Sequence, residues 1–195
     1  MKLGDKVGVV CDHTLIEEAR AIRAALESFR LRVELHRLVQ RWQAEDFFGR
    51  RAKDYEHLVL CGHGTEERIK LEVIEPKKEN PELGEWVGYL LKPATIPDQL
   101  LGFRGALVST ACCSGQGPFG AAFLKAGCRA YLGPSGYVDQ SSSTLYVIAF
   151  FYFLHYEDLL PSPEKYTIAE AAEAARLVDR RAKLGTKLLK LYEHK

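Results

Sequence analysis

Apolar and polar residues follow two different periodicities in the first third of the chain. Short apolar runs at Lys6–Cys11, 32–39 and 57–62 are typical of strands, and the first and third suit the interior of a parallel sheet. Residues 14–30 repeat apolar positions at helical spacing, and 41–54 form a second predicted helix. This order predicts a three-layer α/β fold, a sandwich with a mainly parallel central sheet flanked by helices.

The pattern continues without a repeat or a linker, which predicts a single domain over residues 1–195. Alternating apolar residues at 69, 71 and 73 indicate a small hairpin beside the main sheet. The first helix is expected to begin at a Thr14–Glu17 capping box, and the second to turn Trp42, Phe47 and Phe48 inward. The other predicted elements are strands at 105–111 and 129–132, helices at 95–101, 119–126 and 141–156, and a long C-terminal helix at about 167–192, bent near Gly185.

Charge and cysteine content narrow the class of protein. The 195 residues carry 27 basic and 26 acidic side chains, so nothing indicates a nucleic-acid partner. The longest apolar run, 145–154, is too short to cross a bilayer, and the N-terminus lacks the shape of a signal peptide, so no membrane partner is expected. No cofactor is expected either. An odd number of cysteines outside any spaced framework favours a reducing, cytoplasmic location; they are Cys11, Cys61, Cys112, Cys113 and Cys128.

Two predicted strands end in residues that can carry chemistry. Residues 57–64 end with His63 between two glycines, and residues 107–115 contain the thiol pair Cys112 and Cys113. Functional groups on open α/β sheets gather at the carboxyl ends of strands, and neighbouring strands lie about 4.8 Å apart. If these two strands are neighbours, His63 and Cys112 face each other, which favours a cysteine nucleophile with a histidine base. The N–H groups of Gly64 and Cys112 would then form an oxyanion hole.

Other interpretations of these residues stay open. A cysteine at the end of a buried strand is more often a small core residue than a nucleophile. A metal or redox site is a weaker hypothesis, because adjacent cysteines on a strand diverge and zinc needs four convergent ligands; its candidate ligands are Cys61, His63, Cys112 and Cys113. We therefore predict no metal site. The remaining histidines are assigned no chemical role; they are His13, which lies near the predicted site, and His36, His57, His155 and His194.

Taken in order, the two motifs resemble those of the caspase-like (clan CD) cysteine peptidases. The shared pattern is an apolar strand ending in His63-Gly64, followed by an apolar strand ending in Ala111-Cys112. The closest likeness is to CHAT-domain and separase-like proteases, whose nucleophile string is matched by Cys112-Cys113-Ser114-Gly115. The resemblance covers about residues 58–154, and 167–177 looks like the family's closing helix.

The resemblance implies a cysteine endopeptidase acting on protein or peptide substrates. Cys112 would be the nucleophile and His63 its base in a catalytic dyad, with Cys113 as the rival thiol. Ser135, Gly136 and Asp139 would line the substrate pocket, and Asp139 could contact a basic side chain, although the family's tryptophan is missing from this loop. The alternative is a catalytically silent domain that acts as a protein-interaction or regulatory module. A separate regulatory or sensor protein is a further expected partner.

Overall fold

The computed structural model describes residues 5–77, 84–155, 166–182 and 189–194. Its strands are β1 (Lys6–Cys11), β2 (Arg32–Arg37), β3 (His57–Cys61), β4 (His63–Gly64), β5 (Ile69–Pro76), β6 (Gly84–Leu91), β7 (Ala106–Ser109), β8 (Ala130–Pro134) and β9 (Leu189–Glu193). Its α-helices are α1 (Ile16–Ser28), α2 (Arg41–Asp46), α3 (Ile96–Gln99), α4 (Gly117–Ala126), α5 (Gln140–His155) and α6 (Ile168–Ala182).

Six strands form the main sheet in the order β2-β1-β3-β7-β8-β9. The first five run parallel, and β9 runs antiparallel to β8 at one edge. A separate antiparallel sheet contains β4, β5 and β6. The mainly parallel sheet and the hairpin beside it are therefore confirmed.

The central strands are buried on both faces and send alternate residues into two cores. In β3, Leu58 and Leu60 enter the core beneath α2, α3, α4 and the hairpin. Val59 and Cys61 enter the opposite core, beneath α1, α5 and α6. Because each fully buried Leu or Val side chain contributes about 1.5–3 kcal/mol, both helical layers are held firmly against the sheet. The predicted three-layer arrangement is confirmed.

The second predicted helix is not regular over its full length. After α2 the chain continues as a π-helical turn, Phe47–Arg51, and a short 3₁₀ turn, Ala52–Asp54. The wider π turn accommodates two adjacent buried rings, Phe47 and Phe48, which are 1% and 2% exposed. The inward orientation predicted for Trp42 is wrong, because this side chain is 60% exposed.

The prediction of one helix over residues 167–192 is wrong at its C-terminal end. Among the described residues α6 ends at Ala182, and Leu189–Glu193 is a strand. Leu189 and Leu191 alternate with polar residues, which is a strand pattern, and pairing with β8 covers that strand's open edge. The predicted bend at Gly185 and the predicted end of the fifth helix at Tyr156 lie outside the described residues.

Within the described part of the chain, no helix combines the length and apolarity needed to cross a membrane. The apolar helix α5 instead packs in the same layer as α1 and α6, with Tyr146, Val147 and Phe150 buried.

Candidate active site

The two candidate motifs lie at the same end of the sheet, where the parallel strands have their carboxyl ends. β3 and β7 are adjacent and parallel, with Leu60 opposite Ser109. His63 follows Leu60 by three residues, and Cys112 follows Ser109 by three residues. The pairing therefore brings the imidazole segment and the thiol segment side by side, just beyond the carboxyl ends of neighbouring strands.

Gly64 lies directly against the Cys112 turn. A Cβ atom at Gly64 would lie 2.0 Å from the carbonyl oxygen of Cys112 and 3.0 Å from the carbonyl carbon of Ala111. Real Cβ atoms do not approach a backbone this closely, so glycine is required here for close approach. This contact fixes the position of His63 relative to Cys112.

The two adjacent cysteines occupy different environments. β7 ends at Ser109, so the cysteines lie on a turn and not at the end of the longer strand predicted for residues 105–111. Cys113 has a φ of 59° and is 1% exposed, and burial raises the pKa of its thiol. Cys112 is half-buried, and its thiol lies 3.5 Å from the carbonyl oxygen of Val138. Only Cys112 of this pair therefore presents an accessible sulfur.

Two backbone N–H groups beside Cys112 are available to a ligand. The Thr65 N–H donates to the Arg68 carbonyl at 2.9 Å. Because hydrogen-bonded and non-hydrogen-bonded pairs alternate in an antiparallel ladder, Gly64 opposite Ile69 turns its N–H away from β5. The Cys112 N–H has no hydrogen-bond partner among the described residues. Both groups are those predicted for the oxyanion hole.

The side chain of His63 is exposed and makes one polar contact within the site. Its Nε2 lies 2.9 Å from the Thr14 hydroxyl oxygen. That hydroxyl is 2.6 Å from Asp12 Oδ1 and donates its only hydrogen to the carboxylate. The Thr14 oxygen must then accept from His63, so Nε2 carries the ring proton and Nδ1 is left as the basic nitrogen.

Asp12 is a buried carboxylate at the end of β1, with 0% exposure. Besides the Thr14 hydroxyl, it accepts hydrogen bonds from the N–H groups of Thr14 at 2.8 Å, Leu15 at 3.3 Å and Glu72 at 2.8 Å. The bond to Glu72 connects β1 to the hairpin strand that pairs with the His63 segment. Charge-assisted bonds of this kind are about twice as strong as neutral ones.

These contacts correct the capping box predicted at Thr14 and Glu17. α1 begins at Ile16 after Leu15, which makes no side-chain cap. The Thr14 hydroxyl is used by Asp12 and His63 instead. Sequence reasoning missed this role, although a polar Asp-His-Thr string after a buried central strand was a usable signal. The neighbouring His13 stacks on Trp86 at 3.9 Å and forms an aromatic surface beside Thr14.

The predicted substrate loop lies beside the thiol turn. The Gly136 carbonyl accepts from the Cys113 N–H at 2.9 Å, and the Ser135 carbonyl accepts from Gln116 Nε2 at 3.1 Å. The same Gln116 amide lies 3.3 Å from Glu66, an exposed carboxylate that the sequence did not single out. The predicted substrate loop is therefore hydrogen-bonded to the turn that carries Cys112 at two positions, Cys113 and Gln116.

Asp139 has a structural role at the start of α5. Its carboxylate accepts from the Ser142 N–H at 2.9 Å and from the Ser142 hydroxyl. These bonds lower the pKa of Asp139, so the group is ionised at neutral pH. The side chain caps the helix and remains exposed at the rim of the loop.

Glu18 is a second buried carboxyl close to the site. It is 5% exposed, and the Thr144 hydroxyl donates to it at 3.4 Å. Burial raises its pKa to about 7, with a further contribution from the negative charge of Asp12. Sequence reasoning missed it because helical spacing placed only apolar residues on the inner face of α1.

The cysteine-rich metal set considered from the sequence does not converge. Cys61 is fully buried in the core beneath α1, and Cys113 is buried in the turn while His63 is exposed. In the described ranges these side chains form no group with metal-ligand spacing.

Comparisons with known proteins show a similar fold but no match at the level of sequence. No protein-family model matches the chain, and no curated protein matches it. The structure is similar to the Arg-specific cysteine proteinase gingipain R, with a TM-score of 0.64, 12% identity, and coverage of 96% of this chain and 46% of that one. It is also similar to Saccharomyces cerevisiae separase in its complex with securin, with a TM-score of 0.61, 9% identity, and coverage of 98% and 12%.

The chain therefore spans less than half the length of either protein. Both neighbours are cysteine proteases of the caspase-like class, and this chain has their fold. At these identities the likeness establishes the fold alone.

We predict that Gly64→Ala disrupts the site while Gly49→Ala does not. The new methyl group would overlap the Cys112 carbonyl, whereas nothing lies within 4 Å of a Cβ at Gly49. Overpacking of this kind costs about 1–3 kcal/mol of unfolding free energy. The rate of Cys112 alkylation, followed by mass spectrometry, should change by about tenfold or more in Gly64→Ala only. Equal rates and equal urea midpoints in the two variants would contradict the proposed contact.

We predict that Glu18→Gln stabilises the protein at alkaline pH. The pKa of about 7 lies above the ordinary 4.5, so the native state keeps a proton that the unfolded state loses. Stability therefore falls as pH rises from about 4.5 through about 7, by an amount on the order of 3 kcal/mol. Glutamine is uncharged at all of these pH values, so the variant does not lose this stability as pH rises. Urea unfolding at about pH 5 and pH 8 should show the gain only at the higher pH.

The matched control for this experiment is Glu17→Gln, which changes the exposed neighbouring carboxylate. Its pH dependence should follow that of the unmodified protein. If Glu18→Gln also followed it, the raised pKa of Glu18 would be refuted.

Proposed function

We propose that this protein is a cysteine endopeptidase of the separase or CHAT type, in which Cys112 and His63 form a catalytic dyad. The observation that carries the proposal is the juxtaposition of the two segments. An accessible thiol and an imidazole follow neighbouring parallel strands at the same offset, and Gly64 packs on the Cys112 carbonyl. Five free cysteines are compatible with work in a reducing, cytoplasmic compartment.

Acylation begins with transfer of the Cys112 thiol proton to His63. The thiolate attacks the substrate carbonyl carbon and forms a C–S bond, while the carbonyl π electrons move to oxygen. His63 then protonates the leaving amine as the C–N bond breaks, which leaves a thioester. In the second half of the reaction His63 accepts a proton from water as the hydroxyl adds to the thioester carbonyl carbon. The carbonyl then re-forms as the C–S bond breaks, the carboxylic acid product leaves, and His63 returns the proton to the Cys112 sulfur.

The N–H groups of Gly64 and Cys112 stabilise the oxyanion in both halves of the reaction. They are backbone donors on a packed turn, so they need little reorganisation when the negative charge develops. Their positions support the assignment, since neither N–H is needed by the neighbouring ladder or turn.

Thr14 and Asp12 act as positioning residues for His63. The chain of hydrogen bonds from Asp12 through Thr14 to Nε2 selects one tautomer and one ring orientation. The Thr14 hydroxyl thus links the buried Asp12 carboxylate to the exposed His63 ring.

Ser135, Gly136 and Asp139 form one side of the substrate site. The loop is attached to the nucleophile turn through the Gly136 carbonyl, which supports its role beside the scissile bond. Two carboxylates lie on its margins, Asp139 at the start of α5 and Glu66 beyond Gln116. Negative charge on both margins favours a substrate with a basic side chain before the scissile bond.

A separate regulatory protein is part of the same proposal. The separase neighbour is known in a complex with securin, and the exposed His63 beside the half-buried Cys112 leaves a surface that a partner protein can cover. The restraint would act by covering the loop and His63.

The dyad is tested with a peptidyl acyloxymethyl ketone that ends in arginine. We expect Cys112→Ala and His63→Ala to lose labelling by about a hundredfold or more, since each removes a reacting group. Cys113→Ala should keep most of it, because that thiol is buried. Intact mass and peptide mapping locate the label. Labelling that depends on Cys113 would make that thiol the nucleophile in place of Cys112. Slow labelling that ignores His63 would reject the dyad in favour of a silent interaction domain.

The positioning role of Thr14 is tested with an isosteric pair of variants. Thr14→Val keeps the shape but removes the hydroxyl, so kcat should fall about tenfold or more with little change in KM, and the pH–rate profile should shift. Thr14→Ser keeps the hydroxyl, so its kcat and its pH–rate profile should match those of the unmodified protein. Equal kcat and equal pH profiles for Val and Ser would show that the contact to His63 is not used.

A further inference from the structure

Three potential metal ligands meet at the amino ends of the parallel strands, at the opposite end of the sheet from the candidate active site. Asp5 directly precedes β1, His57 is the first residue of β3, and His155 is the last residue of α5. His57 Nε2 lies 3.4 Å from Asp5 Oδ2, and His155 Nδ1 lies 3.8 Å from the same oxygen. One donor atom from each side chain lies within 4.8 Å of the other two.

These separations suit a tetrahedral ion. Zinc bonds nitrogen and carboxylate oxygen at about 2.0–2.2 Å, and two ligands of a tetrahedral ion then lie about 3.4 Å apart. The two measured separations are at or close to that value. The third side of the triangle joins one nitrogen of each imidazole and is no longer than 4.8 Å.

The two imidazoles are held in place by packing. Phe151, with 0% exposure, lies edge-on to His57 at 5.6 Å and stacks on His155 at 6.0 Å. The two histidine rings are themselves 5.3 Å apart. Asp5 is fixed through its backbone, whose carbonyl accepts from the Arg32 N–H at 3.2 Å. Ligands held this way lose little conformational freedom when an ion binds.

The burial of His57 points to a ligand at Nε2. The side chain is 2% exposed, and its Nδ1 has no hydrogen-bond partner among the described residues. Burying a polar ring is costly when its nitrogens lack partners, and a bound ion would give Nε2 a strong one. Nε2 is the nitrogen that faces Asp5.

We propose that Asp5, His57 and His155 bind one divalent transition-metal ion, with Zn²⁺ as the best match to two imidazoles and one carboxylate. The fourth position is left for water. The ion joins the end of α5 to the starts of β1 and β3, so its role is structural. The site is about 20 Å from His63 along β3, at about 3.3 Å per residue, and it does not depend on the proposed peptidase activity.

The proposal revises the sequence-based expectation for these histidines. The sequence assigns His57 and His155 no chemical role, since His57 begins a predicted strand and His155 lies on a predicted helix. Only the packing of α5 against β3 brings them together.

The test is a titration of the full-length, reduced protein with Zn²⁺ alone, followed by calorimetry and by thermal unfolding. We expect one equivalent to bind with a micromolar or lower Kd and to raise the melting temperature as the ion concentration increases. Asp5→Asn and His155→Gln should each weaken binding by about tenfold or more and remove the thermal shift. Titration with Co²⁺ should give a visible spectrum without a thiolate charge-transfer band.

Matched controls separate this site from other ligands in the chain. Asp98→Asn and His194→Gln change exposed residues away from the cluster and should bind Zn²⁺ as the unmodified protein does. Absence of Zn²⁺ binding in the unmodified protein would overturn the proposal. So would binding that persists in Asp5→Asn and His155→Gln but is lost in His63→Ala, or a Co²⁺ spectrum dominated by thiolate.

Discussion

The parallel pairing of β3 with β7 is the constraint on which the rest of the structure depends. It sets Leu60 opposite Ser109, so the residues that follow the two strands must leave the sheet side by side. Both strands are buried on both faces, and a slip in register would move every core side chain to the wrong layer. The two segments that follow these strands are also tightly packed, because Gly64 lies against the Cys112 carbonyl with no room for a Cβ atom. The position of the site is therefore a consequence of core packing.

A buried carboxylate supplies the second constraint. Asp12 accepts hydrogen bonds from the loop before α1 and from β5, so it joins the first strand to the hairpin beside the site. Burying an ionised carboxylate is costly unless its oxygens are satisfied, and these bonds satisfy both of them. The Thr14 hydroxyl extends the network to the exposed His63 ring. A group that stabilises the fold thus also determines the tautomer of the candidate base.

The sequence predicted those parts of the fold that have a local signal. The buried strands and the three layers followed from short apolar runs, and the residues that end two of those runs indicated His63 and Cys112. That these two strands are neighbours is shown only by the structure. The predicted helix over residues 167–192 failed at β9, because Leu189–Glu193 is a strand only through its pairing with β8, far away in sequence. The capping box predicted at Thr14 was wrong for a related reason. The local pattern favours a helix cap, but the hydroxyl instead contacts a histidine that is distant in sequence. Asp5, His57 and His155 share no local pattern at all, and only the packing of three elements brings them together.

The most direct test of the account is a crystal structure of the protein with a peptide aldehyde that ends in arginine. The account predicts a covalent bond between Cys112 Sγ and the aldehyde carbon, with the new oxygen about 3 Å from the N–H groups of Gly64 and Cys112. The Thr14 hydroxyl should remain in contact with His63 Nε2. A bond to Cys113 or to any other thiol would contradict the assignment of the nucleophile. An oxygen directed away from both N–H groups would contradict the proposed oxyanion hole.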